Sequence, residues 1–525
     1  MFVQAGELST AIAIRGDRIA SLGEEAESEI GPSTRVVDLR GRLVTPGMND
    51  AHCHLGAGGL SMLEVDLRGA SSLKEIESRV RAAAAKAPAG EWITGRGWDQ
   101  TRLRLSELGP GGWPTKETLD RASPQNPVYL WRVDGHTGWA SSRALQLARI
   151  DAKTPDPPGG EIVRDSRRTP TGILKEKAQD LVARIVPPPT PEKMRRGILA
   201  ALDLASRTGV TSVQSEVTPA ELAVYQTLRT EGKLTVRLYG WLPLTMEVVR
   251  ALQDRGEEAA SGDAWVRTGL VKAYADGTLG SRTAWMLEPY SDDPSTRGIQ
   301  RIPQREMDAL VLAADRAGLQ VAVHAIGDGA NREVLDAIER AAAATGRKDA
   351  RHRIEHAQVI DSKDIPRFAR LGVIASMQPT HATSDMRWAE ERIGRQRAEE
   401  GAYAWRKLLD AHARIAFGTD FAVEPLDPVE GLYSAVTRQS REKPGTPPGG
   451  WLPSQRLSME EAIALYTAGS AYAEFQEDVK GTLEAGKLAD LVVWDRDLLT
   501  VAPEQVLQAK PALTVVGGAI VYQEP

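Results

Sequence analysis

The feature that most constrains this chain is an alternation of short apolar runs with helical stretches from about residue 188 onward. The helical stretches, such as 305–317 and 331–344, carry apolar residues three and four positions apart, which predicts amphipathic helices. Including a first run near residue 44, the strand-like runs are 44–54, 209–214, 236–242, 270–275, 319–324, 352–358, 373–378 and 415–419. Eight such βα units over ~250 residues are typical of a (β/α)8 TIM barrel.

Both ends of the chain have a different sequence pattern, in which short runs of alternating apolar and polar residues predict strands. Residues 9–22 alternate around a Gly-Asp turn and predict a β-hairpin, and 36–39 and 43–45 are predicted as two further strands. Residues 489–494 and 513–522 have the same pattern near the other end. We therefore expect one small β-sandwich domain that is built from both termini.

These patterns divide the chain into three parts. The composite β-sandwich domain is predicted to comprise 1–45 and 478–525, and the barrel domain 46–477. Residues 60–187 follow the first barrel strand and are too long for one βα crossover. They are rich in Gly, Pro and Trp, and we interpret them as a large insertion that covers the mouth of the barrel.

Composition excludes several classes of protein. Lys plus Arg is 65 and Asp plus Glu is 71, a net charge of -6, whereas a nucleic-acid partner requires a basic excess. The longest uncharged stretch, 371–384, is 14 residues, and a membrane-spanning helix needs roughly 20. One cysteine, Cys53, excludes an internal disulfide. A signal-like leader is not visible at the start, so we expect a cytoplasmic protein.

Four of the eight histidines and one aspartate lie at the ends of predicted strands. His52 and His54 are two positions apart, and such residues project to the same face of a strand. His324, His356 and Asp420 end three further runs. Because the carboxyl ends of barrel strands surround one pocket, these five side chains are expected to converge. Imidazole nitrogens and a carboxylate in one pocket indicate a metal site.

Lys272 ends the predicted fourth strand, where a lysine either points into the same pocket or reaches solvent. The pattern alone leaves these two alternatives open. Cys53 lies between the two histidines of the first strand, so its side chain should point to the opposite face. We expect it to be a small buried residue that does not bind the metal.

Seven motifs in the same order along the chain carry a resemblance to a known family. They are VTPGMNDAHCH at 44–54, DGH at 134–136, KAYADGTLGSRT at 272–283, HAIGDGAN at 324–331, RIEH at 353–356, FGTDF at 417–421 and GKLADLV at 486–492. On these motifs the chain resembles the amidohydrolase superfamily. Within it, the chain is similar to the YtcJ-like metal-dependent hydrolases of amidohydrolase family 3, which include N-substituted formamide deformylase.

The resemblance implies a centre of two divalent metal ions, most simply two Zn²⁺ ions. Its implied ligands are His52, His54, Lys272, His324, His356 and Asp420. His52 and His54 would hold the more buried ion, and His324 and His356 the more exposed one. Lys272 would be carboxylated by CO2, because a carbamate can bridge two cations whereas an ammonium group would repel them.

The implied activity is hydrolysis of a non-peptide or N-acyl C–N amide bond in a small molecule by a metal-bridging hydroxide. Asp420 would act as the catalytic proton shuttle. Candidate substrate-binding residues are Trp98 and His136 in the insertion, together with Arg282 and His381.

Three alternatives remain open at this point. The same chemistry would serve a metal-dependent esterase, lactonase or carbamate hydrolase. A mononuclear deaminase of the superfamily typically has a Glu three residues after the fifth-strand His, where this chain has Gly327. A non-catalytic scaffold would generally have lost metal ligands, and this chain retains all six.

The chain also departs from the pattern of its relatives in two ways. Gln214 stands where relatives often have His, and relatives usually begin with another strand before the position of Phe2, which leaves the native N-terminus open. We expect neither nucleic acid nor membrane as a partner. The exposed edge of the terminal β domain makes a homodimer possible.

Overall fold

The computed structural model describes residues 2–4 and 6–525. The chain divides into two compact units. The barrel unit comprises Met1–Leu55, Ala201–Ala273 and Gln304–Pro525, and the insertion unit comprises Gly56–Ala200 and Tyr274–Pro303. Met1 and Ala5, which belong to the predicted terminal domain, lie outside the described residues. The narrower domain boundaries drawn from the sequence stay predictions.

The barrel unit is organised around eight strands that neighbour one another in chain order. Barrel strands one to eight are Met48–Cys53, Val210–Glu216, Arg237–Pro243, Val266–Tyr274, Gln320–Ala325, Arg353–His356, Ile374–Met377 and Arg414–Phe417. The ladders are parallel, as βα connections require. The two-residue strand Ser261–Gly262 pairs antiparallel with strand four. The predicted (β/α)8 barrel is confirmed.

Strand eight returns to strand one and nearly closes the barrel. The backbone N–H of Asp420 donates to the carbonyl of His52 at 2.7 Å, and that of His54 donates to Phe421 at 2.5 Å. The close approach of the two chain segments requires glycine at position 418, because a Cβ on Gly418 would lie 2.5 Å from the backbone nitrogen of His52. Three of the predicted site residues, His52, His54 and Asp420, are thus fixed by the pairing of these two chain segments.

Helices separate the barrel strands. They are Pro191–Thr208, Pro219–Thr230, Met246–Asp254, Gln304–Arg316, Asp328–Thr345, Ile365–Leu371, Pro379–Asp385, Ala389–Ile393, Arg395–Gly401, Trp405–Asp410, Pro428–Thr437, Met459–Tyr466 and Ala468–Ala473, with the 3-10 turn Pro453–Gln455. Helix Asp328–Thr345 buries Val334, Leu335 and Ile338 on one face and ends at Gly346, which has a left-handed φ of 67°. The predicted helices at 305–317 and 331–344 are confirmed.

The two chain termini form the small β domain together. Its main sheet has the order Ala519–Gln523, Pro511–Val516, Leu491–Trp494 and Val44–Pro46. Two hairpins, Phe2–Gln4 with Glu7–Leu8 and Ile12–Arg15 with Arg18–Leu22, and the helices Gly23–Ser28 and Pro503–Val506 complete it. Val3, Val44, Leu483 and Val515 share one core cluster. Residues from both ends are thus needed to bury its apolar side chains.

One strand predicted in this domain is wrong. Residues 36–39 are irregular, although the sequence predicted a strand there. Val36 and Val37 are 63% and 47% exposed. Two adjacent apolar side chains that both face solvent do not have the alternating burial of a half-buried strand.

The insertion unit has a mixed six-stranded sheet and its own hydrophobic core. The strand order is Gly160–Arg164, Pro170–Glu176, Thr137–Ala140, Val128–Arg132, Ile93–Trp98 and Val65–Asp66. The helices and 3-10 turns are Leu55–Ser61, Leu73–Ala84, Gln100–Arg102, Leu105–Glu107, Pro110–Gly112, Lys116–Ala122, Ser142–Leu147, Lys177–Gln179 and Asp180–Ala183. Trp98, Trp113 and Trp139 pack edge to face in this core. Among the described residues, no helix is long and apolar enough to cross a membrane.

Candidate metal centre

Asp420 lies at the centre of the predicted site, immediately after strand eight. Its Oδ1 atom is 3.5 Å from Nε2 of His52 and 3.4 Å from Nε2 of His54. Its Oδ2 atom is 3.6 Å from Nε2 of His381 and 4.0 Å from Nδ1 of His356. One carboxylate therefore has an imidazole near each of its oxygens. For three of these four histidines, His52, His54 and His356, the sequence pattern predicted that they converge with Asp420.

The histidine rings form a continuous cluster. The ring centroids of His52 and His356 are 4.6 Å apart, and those of His324 and His356 are also 4.6 Å apart. His381 stacks on His356 at 5.8 Å. All four rings are buried. The structure thus brings every predicted histidine ligand into one region of the barrel unit and adds His381, which the sequence analysis had placed among the substrate contacts.

Hydrogen bonds orient two of the imidazoles. Nδ1 of His52 lies 2.6 Å from Oε2 of Glu355, and Nδ1 of His356 lies 2.8 Å from Oε1 of Gln378. Because both partners accept through oxygen, each bond assigns the proton to Nδ1 and leaves the lone pair on Nε2. Among the described residues, Nε2 of His52 has no hydrogen-bond partner, although it is buried.

The charges of the site suit metal binding. Burial lowers the pKa of His52 and of His356 well below the ordinary value, and the positive charge of Lys272 acts in the same direction. Burial alone would raise the pKa of Asp420, but His52 and His54 outweigh this effect and hold it below its usual range. Burial thus favours neutral imidazoles at His52 and His356 beside the ionised carboxylate of Asp420, which is the state in which both types of side chain bind metals.

Lys272 is buried within the same cluster, at the end of strand four. Its Nζ atom lies 4.9 Å from the ring centroid of Trp241, and its exposed fraction is 3%. Burial lowers the pKa of Lys272, while the carboxylates of Glu355, Glu216 and Asp420 act in the opposite direction. Of the two alternatives for this lysine, the structure shows the one that points inward and not the one that reaches solvent.

Two of the proposed ligands have strained backbones. His356 has a φ of 74° and Asp420 a φ of 58°, in the left-handed region that non-glycine residues seldom adopt. His356 is the last residue of strand six, and Asp420 follows the end of strand eight by three residues. Such strain is concentrated at functional sites, where the surrounding fold holds it in place.

The other predicted substrate-binding residues, Trp98, His136 and Arg282, lie in the insertion unit. Trp98 is fully buried in the insertion core, where its indole N–H donates to the carbonyl of Leu130. His136 lies 2.9 Å from Glu176, and Arg282 forms a salt bridge with Asp292.

The thiol of Cys53 is buried, as expected. Burial raises the pKa of Cys53 well above its usual value, which favours the protonated thiol.

Sequence reasoning missed the residues that hold the ligands in place. Glu355, Gln378 and Trp241 contact His52, His356 or Lys272 directly. Glu355 was visible inside the RIEH motif, since it immediately precedes a ligand. Gln378 and Trp241 carry no signal of their own, because nothing in the local sequence shows that they face a histidine.

The donor set fits a divalent metal ion. The ligand atoms of His52, His54 and Asp420 lie within 4.8 Å of one another, and so do those of His356, His381 and Asp420. Nitrogen donors with a carboxylate are the set that zinc and related metals prefer. A buried Nε2 without a hydrogen bond is costly unless another group takes up its lone pair, and a metal ion bound there would do so.

Comparison with known proteins decides the family. The model of the Amidohydrolase family matches residues 35–522. The chain belongs to the amidohydrolase family. It is 36% identical to Protein LONG AFTER FAR-RED 3 of Arabidopsis thaliana over 97% of this chain and 88% of the relative. It is 35% identical to the putative amidohydrolase YtcJ of Bacillus subtilis, over 99% and 97% of the two chains.

Two further similarities bear on this amidohydrolase. N-substituted formamide deformylase of Arthrobacter pascens is 28% identical over 98% of this chain and 95% of the relative. The crystal structure of an uncharacterized metal-dependent hydrolase from Pyrococcus horikoshii superposes with a TM-score of 0.73 at 32% identity, covering 94% of each chain. The resemblance drawn from the motifs is confirmed, and the chain is a metal-dependent hydrolase.

Proposed function

We propose that this amidohydrolase cleaves a C–N bond in a non-peptide or N-acyl amide of a small molecule. The observation that carries the proposal is the position of Asp420, whose Oδ1 faces His52 and His54 while its Oδ2 faces His381. An ionised carboxylate in such a cluster can contribute a metal ligand and still receive a proton. The name of the deformylase relative supports an amide substrate.

Two divalent ions, expected to be Zn²⁺, would be held by His52, His54, Lys272, His324, His356 and Asp420. When bound, they would supply Lewis-acid polarisation of the scissile carbonyl and a water with its pKa lowered towards ~7. The chain's own contribution is to keep the imidazoles neutral by burial and to fix two of them through Glu355 and Gln378.

Asp420 carries the proton in this proposal. Because its pKa lies below the ordinary value, its carboxylate is ionised at neutral pH and can accept a proton from the attacking water. As the C–N bond breaks, Asp420 returns that proton to the leaving nitrogen. One water is consumed, and a carboxylic acid and an amine are released.

Lys272 is the proposed bridging group. Burial lowers its pKa, which increases the fraction of neutral amine that can attack CO2. The ammonium first loses one proton to give the neutral amine, and formation of the N–C bond with CO2 releases a second proton, so a cation becomes an anionic carbamate. Its two oxygens could then serve two ions, which an ammonium group could not.

A deaminase reaction is not favoured by the residues after strand five. Gly327, at the position where deaminases of the superfamily typically have Glu, precedes helix Asp328–Thr345 as its N-cap. It has no side chain that could act as an acid or base. We therefore keep amide hydrolysis as the proposal.

A turnover screen tests the proposal. The metal-loaded enzyme would be assayed with N-formyl and N-acyl amines, N-acyl amino acids, esters and lactones, each with a chelated control and with Asp420→Asn. We expect amine release that requires metal and Asp420. Turnover of esters or lactones alone would overturn the amide assignment and leave a metal-dependent hydrolase. Amine release that survives chelation would contradict the metal mechanism.

A further inference from the structure

Arg353 is a fully buried cation that lies directly behind the metal centre and is not one of its ligands. Arg353 and Glu355 are two positions apart on strand six, so their side chains project to the same face of the strand. Nε of Arg353 lies 2.8 Å from Oε1 of Glu355 as an ion pair without a hydrogen bond between these two atoms. Nη2 of Arg353 donates a hydrogen bond to Oε2 of Glu355 at 3.3 Å. The same oxygen, Oε2, lies 2.6 Å from Nδ1 of His52. Glu355 thus contacts both Arg353 and the proposed ligand His52.

The guanidinium group is held from several strands at once. Its Nη2 donates to the carbonyl of Ala51 at 2.6 Å and to Oγ of Ser376 at 2.9 Å. Its Nη1 donates to Oε1 of Gln214, and it lies 5.2 Å from the ring centroid of Trp241. These partners belong to strands one, seven, two and three. A guanidinium group with so many partners has little freedom to rotate, and it therefore restricts the position of the Glu355 carboxylate.

We propose that Arg353 is a positioning residue for the metal centre. Through the ion pair with Glu355 and the hydrogen bond from Nη2 to Oε2, it holds Oε2 at Nδ1 of His52, which assigns the proton to Nδ1 and turns Nε2 toward Asp420. The inference rests on the proposed function in one respect, because it takes His52 to be a metal ligand. It concerns metal affinity and does not depend on which bond the enzyme cleaves.

Geometry explains why arginine is required at this place. Its planar fork contacts Glu355 through Nε and Nη2, and its two terminal nitrogens also reach Ala51, Ser376 and Gln214. A lysine offers one nitrogen at the end of a flexible stem and cannot hold the same set of partners. Partners that orient a ligand histidine typically contribute 10–100-fold to metal affinity.

The test measures Zn²⁺ affinity of the metal-free full-length protein by competition with a chromophoric chelator. Wild type is compared with Arg353→Lys and with Glu355→Gln. The matched control is Arg237→Lys, since Arg237 forms an equally buried arginine–carboxylate pair with Asp490, at 2.6 and 2.9 Å. Thermal melts of the metal-free proteins report folding separately from affinity.

We expect Arg353→Lys and Glu355→Gln to weaken Zn²⁺ binding by roughly 10–100-fold, while Arg237→Lys stays within about threefold of wild type. If Arg353→Lys and Arg237→Lys bind Zn²⁺ with equal affinity and both have lowered melting temperatures, Arg353 has only a structural role and the proposal is overturned. If Arg353→Lys does not fold, Glu355→Gln decides, and its unchanged affinity overturns the proposal. A wild type that binds no metal would refute the proposed function itself, whereas metal binding without amide turnover would leave this inference open to the same test.

Discussion

At the scale of single residues, Asp420 is predicted to be needed for turnover more than for folding. Asp420→Asn keeps the shape of the side chain but removes its negative charge and its capacity to accept a proton. We expect kcat to fall by about 10²–10⁴-fold, with the melting temperature of the metal-free protein nearly unchanged. Steady-state kinetics and thermal melts measure the two effects. A variant with the wild-type rate would assign proton transfer to another residue.

Lys272 can be tested by chemical rescue. Lys272→Ala should lose metal and activity, and a short carboxylic acid should restore part of both, because its carboxylate can occupy the place of the proposed carbamate. Lys480→Ala is the matched control, since Lys480 is also buried and pairs with Glu474 at 2.8 Å. The control should lose stability without any gain from added acid. Full activity of Lys272→Ala without acid would exclude a bridging role.

Asp427 should make stability depend on pH. Burial raises the pKa of Asp427 to about 7 from an ordinary 3.8, and Glu430 adds to the effect. The folded state thus keeps a proton that the unfolded state releases near pH 4, so stability falls as pH rises from about 4 to about 7.

Asp427→Asn, which preserves a helix N-cap, should remove this contribution, on the order of 3 kcal/mol. Urea unfolding of both proteins at pH 4.5 and pH 8 measures it. An equal loss of stability in the two proteins between these pH values would contradict the assignment.

Residue types at strand ends made part of this site predictable from sequence. His52, His54, His324, His356 and Asp420 follow apolar runs, and a barrel fold brings such positions together. The contacts of Glu355 with His52 and of Gln378 with His356 were not predictable, because they depend on ring orientations between distant strands. The proximity of His381 to Asp420 depends on the short helix Pro379–Asp385 after strand seven, which has no apolar pattern to mark it.

At the scale of secondary-structure elements, the junction of strands eight and one is predicted to be intolerant of even one added carbon. Gly418→Ala would place a Cβ 2.5 Å from the backbone nitrogen of His52 and 2.7 Å from Oδ1 of Asp50. Because a backbone atom cannot move aside cheaply, we expect a loss of at least about 3 kcal/mol together with weaker metal binding.

The control for this substitution is Gly31→Ala, where the nearest atom to a new Cβ would be 3.9 Å away. It should change stability by less than about 0.5 kcal/mol. Denaturant unfolding compares the two variants. If Gly418→Ala and Gly31→Ala have equal free energies of unfolding, the backbone between strands eight and one can move to admit a Cβ, and the prediction is wrong.

Buried strands were the most predictable elements. All eight barrel runs were placed within a few residues of their observed bounds, since most strands covered on both faces are rich in apolar residues. The strand predicted at 36–39 was wrong because two adjacent valines resemble a buried strand in the sequence. Its side chains are in fact exposed, and exposure depends on tertiary contacts that a short window does not contain.

At the scale of the whole molecule, metal removal should lower thermal stability. A metal that binds the folded chain and not the unfolded one stabilises it by about 2.7 kcal/mol at 100 times its Kd. We expect the melting temperature to fall on chelation, to recover on adding Zn²⁺, and to shift far less in His54→Ala. Calorimetry across a series of Zn²⁺ concentrations measures this. A melting temperature independent of metal would contradict a site in the folded barrel.

The organisation into a barrel and an insertion was predictable from segment lengths, because residues 60–187 exceed any single crossover. The inclusion of Tyr274–Pro303 in the insertion unit was not. These residues follow strand four directly, and their contacts with the insertion include the bond from Thr283 to Glu176 and the salt bridge from Arg301 to Glu176. Sequence neighbours alone would assign them to the barrel.

The sheet shared by the two termini also has a consequence for synthesis. Val44–Pro46 pairs with Leu491–Trp494, so one half of this ladder leaves the ribosome long before the other. At about 5–20 residues per second the interval is roughly 20–90 s. Throughout it, the apolar side chains of the early strand have no partner, and a chain released before residue 491 never acquires one. Premature termination near the end of the message would therefore yield a product with an almost complete barrel and an unpaired strand, prone to aggregation and suited to capture by chaperones.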